Sequence, residues 1–100
     1  MKRLDAVCAV YIMANARNTV LYTGVTADLK TRVFEHKAKV DPRSFTARYN
    51  ATKLVFFEVA RSINTAIARE KQIKAGSRRK KEELVTGQNP GWRDLAADWE

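Results

Sequence analysis

The apolar run AVCAVYIMA at residues 6–14 decides how this sequence is organised. A segment that is apolar at consecutive positions is covered on both faces, which is typical of a central strand. Residues 15–18, NARN, have turn chemistry, because asparagine tolerates the left-handed region. Residues 19–23, TVLYT, then have the β-branched and aromatic composition of a second strand. The two segments therefore predict a β-hairpin.

The rest of the chain predicts one strand and three helices. A helix capped by Thr26 or Asp28 runs to about Lys39, and the segment at 44–50 is a short helix or a loop. A strand at 54–59 is followed by a helix that is capped by Ser62 or Asn64 and ends near Gly76. A basic helix from Ser77 to about Thr86 and a turn at 89–92 come next. The tail from Arg93 is expected to add a last helical turn. This order predicts an α+β fold with a three-stranded antiparallel sheet flanked by helices, the first strand in the centre and the third on its free edge.

Length and composition indicate one globular domain. The 100 residues, 45% of them hydrophobic, support a single domain spanning 1–100 with a core from about residue 7 to 95. The single cysteine, Cys8, excludes an internal disulfide. We see no secretory signal, and the apolar run at 6–14 is about half the length of a membrane span. We therefore expect a cytoplasmic protein with no membrane partner.

The charge balance predicts a polyanionic partner. Lysine and arginine number 19 against 11 acidic residues, which gives a net charge of +8. An excess of this sign on a small body favours nucleic acid, although solubility alone is the alternative. The expected phosphate-binding surface consists of six basic residues on the last two helices: Lys71, Lys74, Arg78, Arg79, Lys80 and Lys81. The alternative for these residues is an ordinary solvated helix face.

Glu70 lies where the helical pattern calls for an apolar residue. Ile63, Ala66, Ile67, Ile73 and the stem of Lys74 define one side of that helix, and Glu70 falls in its middle. A buried carboxylate costs free energy unless it is paired. It is either an ion-pair partner of Arg32 or another cation, or a ligand for Mg²⁺, which prefers oxygen and often takes only one or two carboxylates. The helical pattern leaves both open.

Two more polar residues point toward an apolar helix face. Arg32 and His36 are one turn apart and share a side with Leu29, Val33 and Val40. A guanidinium matches phosphate oxygens, but the commoner use of an isolated arginine is a salt bridge, here to Asp28. An imidazole can relay a proton near neutral pH, but an isolated histidine is more often structural. Only their combination with other polar groups favours a catalytic role for these two residues.

The hairpin supplies the other polar groups, the phenols of Tyr11 and Tyr22. Aromatic residues on strands usually belong to the core, yet a buried hydroxyl needs a partner. Gly24 follows at the end of the second strand, where a missing side chain lets backbone or ligand approach closely. Together, these positions predict a polar cluster on one side of the sheet.

The chain resembles the GIY-YIG nuclease family over about residues 7–95. The first family motif corresponds to Ala9-Val10-Tyr11 and the second to Tyr22-Thr23-Gly24. Further positions match in order along the chain, namely Arg32, His36, Tyr49 and Glu70, and the ending NPGWRDL at 89–95 is similar to that of small single-domain URI-type members. The departures are conservative: alanine and valine replace glycine and isoleucine in the first motif, and threonine replaces isoleucine in the second.

The resemblance implies a DNA endonuclease that uses one divalent metal, Mg²⁺ or Mn²⁺, and is structure-selective or weakly sequence-specific. Glu70 would hold the metal, which would contact a non-bridging and the leaving 3′ oxygen. Tyr11, with Tyr22 and His36, would position or deprotonate the attacking water, and the identity of the base stays open.

Other residues are assigned by the same resemblance. Arg32 would offset phosphate charge, Tyr49 would hydrogen-bond the phosphate or order its neighbours, Gly24 would be structural, and Asn89 is a weaker candidate. The alternatives are a nucleic-acid-binding module of the same fold that cuts little, and a protein-interaction domain. The preferred DNA structure and the oligomeric state are not predicted.

Overall fold

A computed structural model describes residues 6–99. The predicted domain bounds of 1–100 therefore include residues 1–5 and 100, which lie outside the described part. The elements are β1 (Cys8–Ala14), β2 (Leu21–Thr26), α1 (Leu29–Ala38), α2 (Phe45–Arg48), β3 (Lys53–Ala60), α3 (Ile63–Ala75) and α4 (Arg78–Gln88). None of the helices within residues 6–99 has the length and apolar character needed to cross a bilayer.

The sheet is antiparallel with the order β2-β1-β3, which confirms the predicted α+β fold and the central place of the first strand. Residues 9–14 of β1 are all buried, because helices or loops cover both of its faces. In the register, Tyr11 is flanked by Gly24 of β2 and Phe57 of β3. This pairing sets the position of the first phenol.

Alternate residues of β1 enter two separate hydrophobic clusters. Ala9, Tyr11 and Met13 pack with Leu29 and Val33 of α1. The intervening positions pack with α3 and α4, in a cluster formed by Val10, Ile12, Ala14, Val55, Phe56, Ile73 and Val85. The period-2 alternation of a strand thus directs Tyr11 toward the α1 side.

Short polar side chains begin the helices. The side chains of Asp28, Ser44, Ser62 and Ser77 each accept a hydrogen bond from the backbone N–H three residues on. Of the alternatives in the sequence, Asp28 and Ser62 are the caps. The segment at 44–50, for which helix and loop were both open, contains the short helix α2.

Two expectations about apolar faces are wrong. Val40 was expected beside Leu29 and Val33 but is 63% exposed, because Lys39 adopts φ = 53° and ends α1 one residue earlier. Ile63 was expected on the apolar side of α3 but is 37% exposed at its first position, where the helix has barely begun.

The tail forms tight turns instead of the expected last helical turn. The N–H of Leu95 donates to the carbonyl of Leu54, and one Asp94 oxygen accepts from the N–H groups of Leu54 and Ala96. The Gln88 amide similarly bonds both backbone groups of Phe57. These bonds cover the outer edge of β3, which would otherwise offer unpaired backbone groups.

Replacing Asp94 with asparagine is expected to destabilise the protein at pH 7 by about 1–2 kcal/mol, because a charged acceptor is lost. Burial by itself would raise the pKa of Asp94, but hydrogen bonds from Lys37, Ala96 and Leu54 outweigh burial and hold the pKa below its ordinary value. The folded pKa is the lower one, so the stabilisation is present above the unfolded pKa and is lost as the pH falls through the folded value. Urea unfolding at several pH values between neutral and acid measures this.

The Asp98→Asn variant is the matched control, since Asp98 is an exposed acid on the same tail. Its free energy of unfolding should match that of the unmodified protein at each pH. Equal acid sensitivity of the unmodified protein and Asp94→Asn would contradict the assigned role of Asp94.

Candidate active site

The two hairpin phenols lie on the same side of the sheet. Tyr11 is 1% exposed, Tyr22 is half-buried, and their ring centroids are 6.3 Å apart. A Cβ added at Gly24 would lie 2.5 Å from both Cζ and Oη of Tyr11, and 2.9 Å from a ring carbon of Tyr22. The close approach expected at Gly24 is therefore made by the tyrosine rings, whose ends occupy the space that a side chain would fill.

His36 connects Tyr11 to the short helix α2. The Tyr11 hydroxyl lies 2.8 Å from Nε2 of His36, and Nδ1 of His36 lies 2.8 Å from the hydroxyl of Thr46. Thr46 is 2% exposed, and its Oγ1 is also 3.3 Å from the Ser44 hydroxyl. This gives a continuous hydrogen-bonded chain from β1 through α1 to α2.

Both titratable members of this chain are neutral near pH 7. Burial raises the pKa of Tyr11 above its ordinary value, and Tyr22 adds to the effect while Arg32 opposes it. Burial, followed by the charge of Arg32, lowers the pKa of His36. A neutral imidazole has one donor and one acceptor nitrogen. With Nε2 as the acceptor, the Tyr11 hydroxyl donates to His36, whose Nδ1–H donates to Thr46, and His36 can take up one proton.

Arg32 lies beside this chain but is more exposed than expected. Its side chain is 49% exposed, and its Nε is 3.3 Å from Glu35, whereas the sequence suggested a salt bridge to Asp28. The Asp28 carboxylate instead caps α1 and bonds the hydroxyl of Thr31. An exposed ion pair of this kind is weak, so the guanidinium is available for a stronger anion.

Glu70 is mostly buried and is paired with a lysine one turn further along α3. Its side chain is 13% exposed, and its Oε2 lies 2.9 Å from Nζ of Lys74. The ion-pair alternative is thus realised with Lys74 and not with Arg32. The carboxylate also contributes to the raised pKa of Tyr11, so its charge acts on the hairpin phenol.

The donor set fits a cation held partly by a substrate. Residues 6–99 contain no group of three or more His, Cys, Asp or Glu side chains that could hold a metal ion by themselves. Mg²⁺ is commonly held by one or two carboxylates together with substrate phosphate and water. Glu70 supplies one carboxylate near the phenols, which is compatible with that mode and not with a cage made only by the protein.

A cleft of about 190 Å³ opens beside these residues, between α1 and α2. It is lined by Tyr22, Arg32, Glu35, His36, Val40, Asp41, Ser44, Phe45 and Thr46. The cleft thus gives access to one phenol, the imidazole and the guanidinium.

Tyr49 joins the cluster through a residue that the sequence analysis missed. Its side chain is 47% exposed, and its ring lies 4.8 Å from the ring of Phe45, which in turn stacks on Tyr22 at 5.9 Å. Phe45 is the largest apolar residue of the segment at 44–50, SFTARYN, and its presence there was the available signal. Thr46 was also missed as the partner of His36, and no signal in the sequence distinguishes it from other threonines.

Asn89 is not brought into this cluster. It is buried, its amide donates to the carbonyls of Val55 and Arg93, and its oxygen accepts from the N–H of Arg93. These bonds join the end of α4 to β3 and to the tail. The weaker candidate from the sequence therefore lies outside the cluster, with its amide bonded to backbone groups.

The six basic residues divide into two groups. Arg78 donates to the carbonyls of Asn18 and Thr19 in the hairpin turn and pairs with Glu82, and Lys81 donates to the carbonyl of Gly76. The side chains of these two residues are thus hydrogen-bonded to backbone carbonyls within the protein. Lys71, Lys74, Arg79 and Lys80 are exposed, with Lys74 paired to Glu70 and Arg79 to Glu83.

Comparison with known proteins identifies the family of this chain. The protein-family model described as the GIY-YIG catalytic domain matches residues 7–83 of this chain. A UPF0213 protein of Syntrophus aciditrophicus is 37% identical over 81% of this chain and 91% of the relative, and one of Natronomonas pharaonis is 41% identical over 76% and 87%. The solution NMR structure of the UPF0213 protein BH0048 from Bacillus halodurans is similar with a TM-score of 0.55 and 28% identity, covering 91% of this chain and 96% of that one. The chain belongs to the GIY-YIG family of nuclease domains.

Proposed function

We propose that this protein is a DNA endonuclease that hydrolyses phosphodiester bonds with one divalent cation, Mg²⁺ or Mn²⁺. The observation that supports it best is the hydrogen-bonded chain Tyr11–His36–Thr46, whose members are held at 2.8 Å beside a cleft that also contains Arg32. A proton acceptor and a cation next to an open cleft are groups that can serve the hydrolysis of a phosphodiester.

Tyr11 and His36 are proposed to manage the proton of the attacking water. The raised pKa of Tyr11 makes a resting phenolate a poor candidate for the base. We therefore assign a relay in which a water admitted past Tyr22 reaches the nearly buried Tyr11 oxygen and gives it a proton, while the proton of Tyr11 passes to Nε2 of His36. The lowered pKa of His36 keeps that nitrogen unprotonated and ready near pH 7. Tyr22, which lines the cleft, would orient the water.

Arg32 and Glu70 are proposed to handle charge on the phosphate. Arg32 would exchange its exposed contact with Glu35 for phosphate oxygens, which a guanidinium can bind with two parallel hydrogen bonds. Glu70 would hold the cation, whose positive charge would stabilise the negative charge that develops on the phosphate and on the leaving oxygen. For this, Lys74 must release the Glu70 carboxylate.

The experiment that tests the proposal is incubation of the protein with a panel of end-labelled DNA. The panel contains plain duplex, single strand, flap and branched forms, each with Mg²⁺, Mn²⁺ or EDTA. One active site cuts one strand at a time, so we expect metal-dependent single-strand breaks and none with EDTA. Binding without cutting would favour a binding module of the same fold. Absence of both would favour a protein-interaction domain.

Neutralising Lys71, Arg79 and Lys80 together as glutamines is expected to weaken DNA binding for every sequence tested. Each lost phosphate contact reduces the slope of log affinity against log salt concentration by about 1. Arg78 and Lys81 are left unchanged because their side chains donate hydrogen bonds to backbone carbonyls of the protein. Fluorescence anisotropy at several salt concentrations measures affinity and slope.

Lys30→Gln provides the comparison for this variant, because Lys30 is an exposed lysine on α1, away from the last two helices. It should change the affinity little. A triple variant with unchanged affinity and slope would remove these helices from the DNA interface.

A further inference from the structure

Exposed apolar side chains gather at the mouth of the cleft. Val40 and Phe45 line it with 63% and 45% of their surfaces exposed, and Tyr49, 47% exposed, lies against Phe45. Exposing large apolar groups to water is unfavourable, so a cluster of them beside a functional cleft indicates a contact surface. The question is which ligand it fits.

The ring of Phe45 extends the aromatic cluster outward from the buried phenol. It lies 29° from parallel with the Tyr22 ring at 5.9 Å, and the Tyr22 ring lies 5.6 Å from that of His36. Phe45 is thus one ring removed from the imidazole that bonds Tyr11. A nucleotide whose phosphate reaches the cleft would have its base within reach of this ring.

The short helix α2 fixes this geometry. Phe45 is followed by Thr46, whose hydroxyl bonds His36, and preceded by Ser44, whose side chain caps α2. The same four-residue helix therefore holds the imidazole and presents the aromatic ring. A pre-positioned ring loses little entropy on stacking with a base.

The charges around the ring favour a nucleic-acid occupant over an apolar protein segment. Arg32 lines the same cleft, and the guanidinium of Arg48 lies 5.9 Å from the centre of the Tyr49 ring. Aromatic rings next to cations are the usual platform for unpaired bases, because every base has a π-face and each phosphate meets a positive charge. In a plain duplex the bases are stacked on one another and cannot reach the ring.

We infer that Phe45, supported by Tyr49, stacks an unpaired nucleobase next to the scissile phosphate. The substrate is then DNA with an unpaired nucleotide at the cut, as in a single strand, a flap or a junction, and plain duplex is a poorer ligand. This inference rests on the proposed function for the place of the phosphate. The stacking itself is measurable without cutting.

The test uses oligonucleotides that carry the fluorescent base 2-aminopurine, in EDTA so that no cutting occurs. Stacking on an aromatic ring quenches this base. We expect quenching and tighter binding for single-stranded and flap DNA. Phe45→Ala should lose the quenching and bind such DNA roughly 5- to 100-fold more weakly, with its affinity for plain duplex little changed.

Three further variants separate stacking from a structural role of the ring. Phe45→Leu keeps an apolar cover over Tyr22 but cannot stack, so it should also lose quenching, whereas Phe45→Trp should retain it. Phe34→Ala is the matched control, because Phe34 is an aromatic residue that is 67% exposed on α1 and does not line the cleft. Circular dichroism melts check that each variant is folded.

Quenching and affinity in Phe45→Leu equal to those of the unmodified protein would overturn the inference. An equal loss of affinity for duplex and for unpaired DNA in Phe45→Ala would do the same. Quenching that persists while no DNA is cut with Mg²⁺ or Mn²⁺ would support the stacking site and refute the endonuclease. Cutting of duplex and unpaired DNA with equal efficiency would support the endonuclease and refute the stacking of an unpaired base at the cut.

Discussion

Alanine at Gly24 is expected to destabilise the protein by about 1–3 kcal/mol and to remove most of the proposed DNA-cutting activity. The added Cβ would lie 2.5 Å from Cζ and Oη of Tyr11, closer than real contacts allow. Tyr11 is 1% exposed and bonded to His36, so its ring has little room to retreat. Any shift that relieves the contact moves the hydroxyl away from Nε2 of His36.

Gly87→Ala is the control, because the change in stability expected for it has the opposite sign. An added Cβ at Gly87 meets nothing within 4 Å, and the residue lies in α4. Alanine in a helix is more favourable than glycine by about 1 kcal/mol, so this variant should gain stability and keep its activity. Urea unfolding and a DNA-cutting assay on both variants give the comparison.

A double-mutant cycle with Tyr11→Leu identifies the cause. If the clash is with the Tyr11 ring, Gly24→Ala should cost much less stability when residue 11 is leucine, because the ring that it meets is gone. An equal cost in both backgrounds would show that Gly24 acts through something other than the phenol.

The sequence was enough to predict the sheet but not the partners of the polar groups. The apolar run at 6–14 and the hairpin turn after it determine the central strand, because hydrophobic periodicity and turn chemistry are local properties. The partner of Glu70 was left open between an ion pair and a metal. Its geometry with Lys74 depends on rotamers of two long side chains, which no pattern in the sequence encodes.

The short helix α2 was the least predictable part of the site. Four residues carry too little periodicity to distinguish a helical turn from a loop. Yet α2 supplies Thr46 to His36 and Phe45 to the cleft, contacts that join residues ten or more positions apart or on different elements. Such contacts depend on tertiary packing, so the sequence could suggest His36 as a functional residue without revealing what holds its ring in place.

Glutamine at Glu70 is expected to reduce the proposed metal-dependent DNA cutting roughly a thousandfold, because a bound cation supplies several kcal/mol of transition-state stabilisation. Glutamine keeps the size of the side chain but removes the negative charge that a divalent cation needs. DNA affinity in EDTA should stay within about threefold of that of the unmodified protein, since one acidic group is lost from a chain with a net charge of +8. Single-turnover cutting and anisotropy measure the two quantities.

Lys74→Gln separates the proposed metal role of Glu70 from its ion pair. Both variants break the same contact between Nζ and Oε2, but only Lys74→Gln leaves the carboxylate charged. With its competitor removed, the carboxylate should bind Mn²⁺ more readily, so half-maximal cutting should need less metal, and Mn²⁺ should raise the melting temperature at lower concentration. If Lys74→Gln loses as much activity as Glu70→Gln, the carboxylate acts through the lysine and the cation must be held elsewhere.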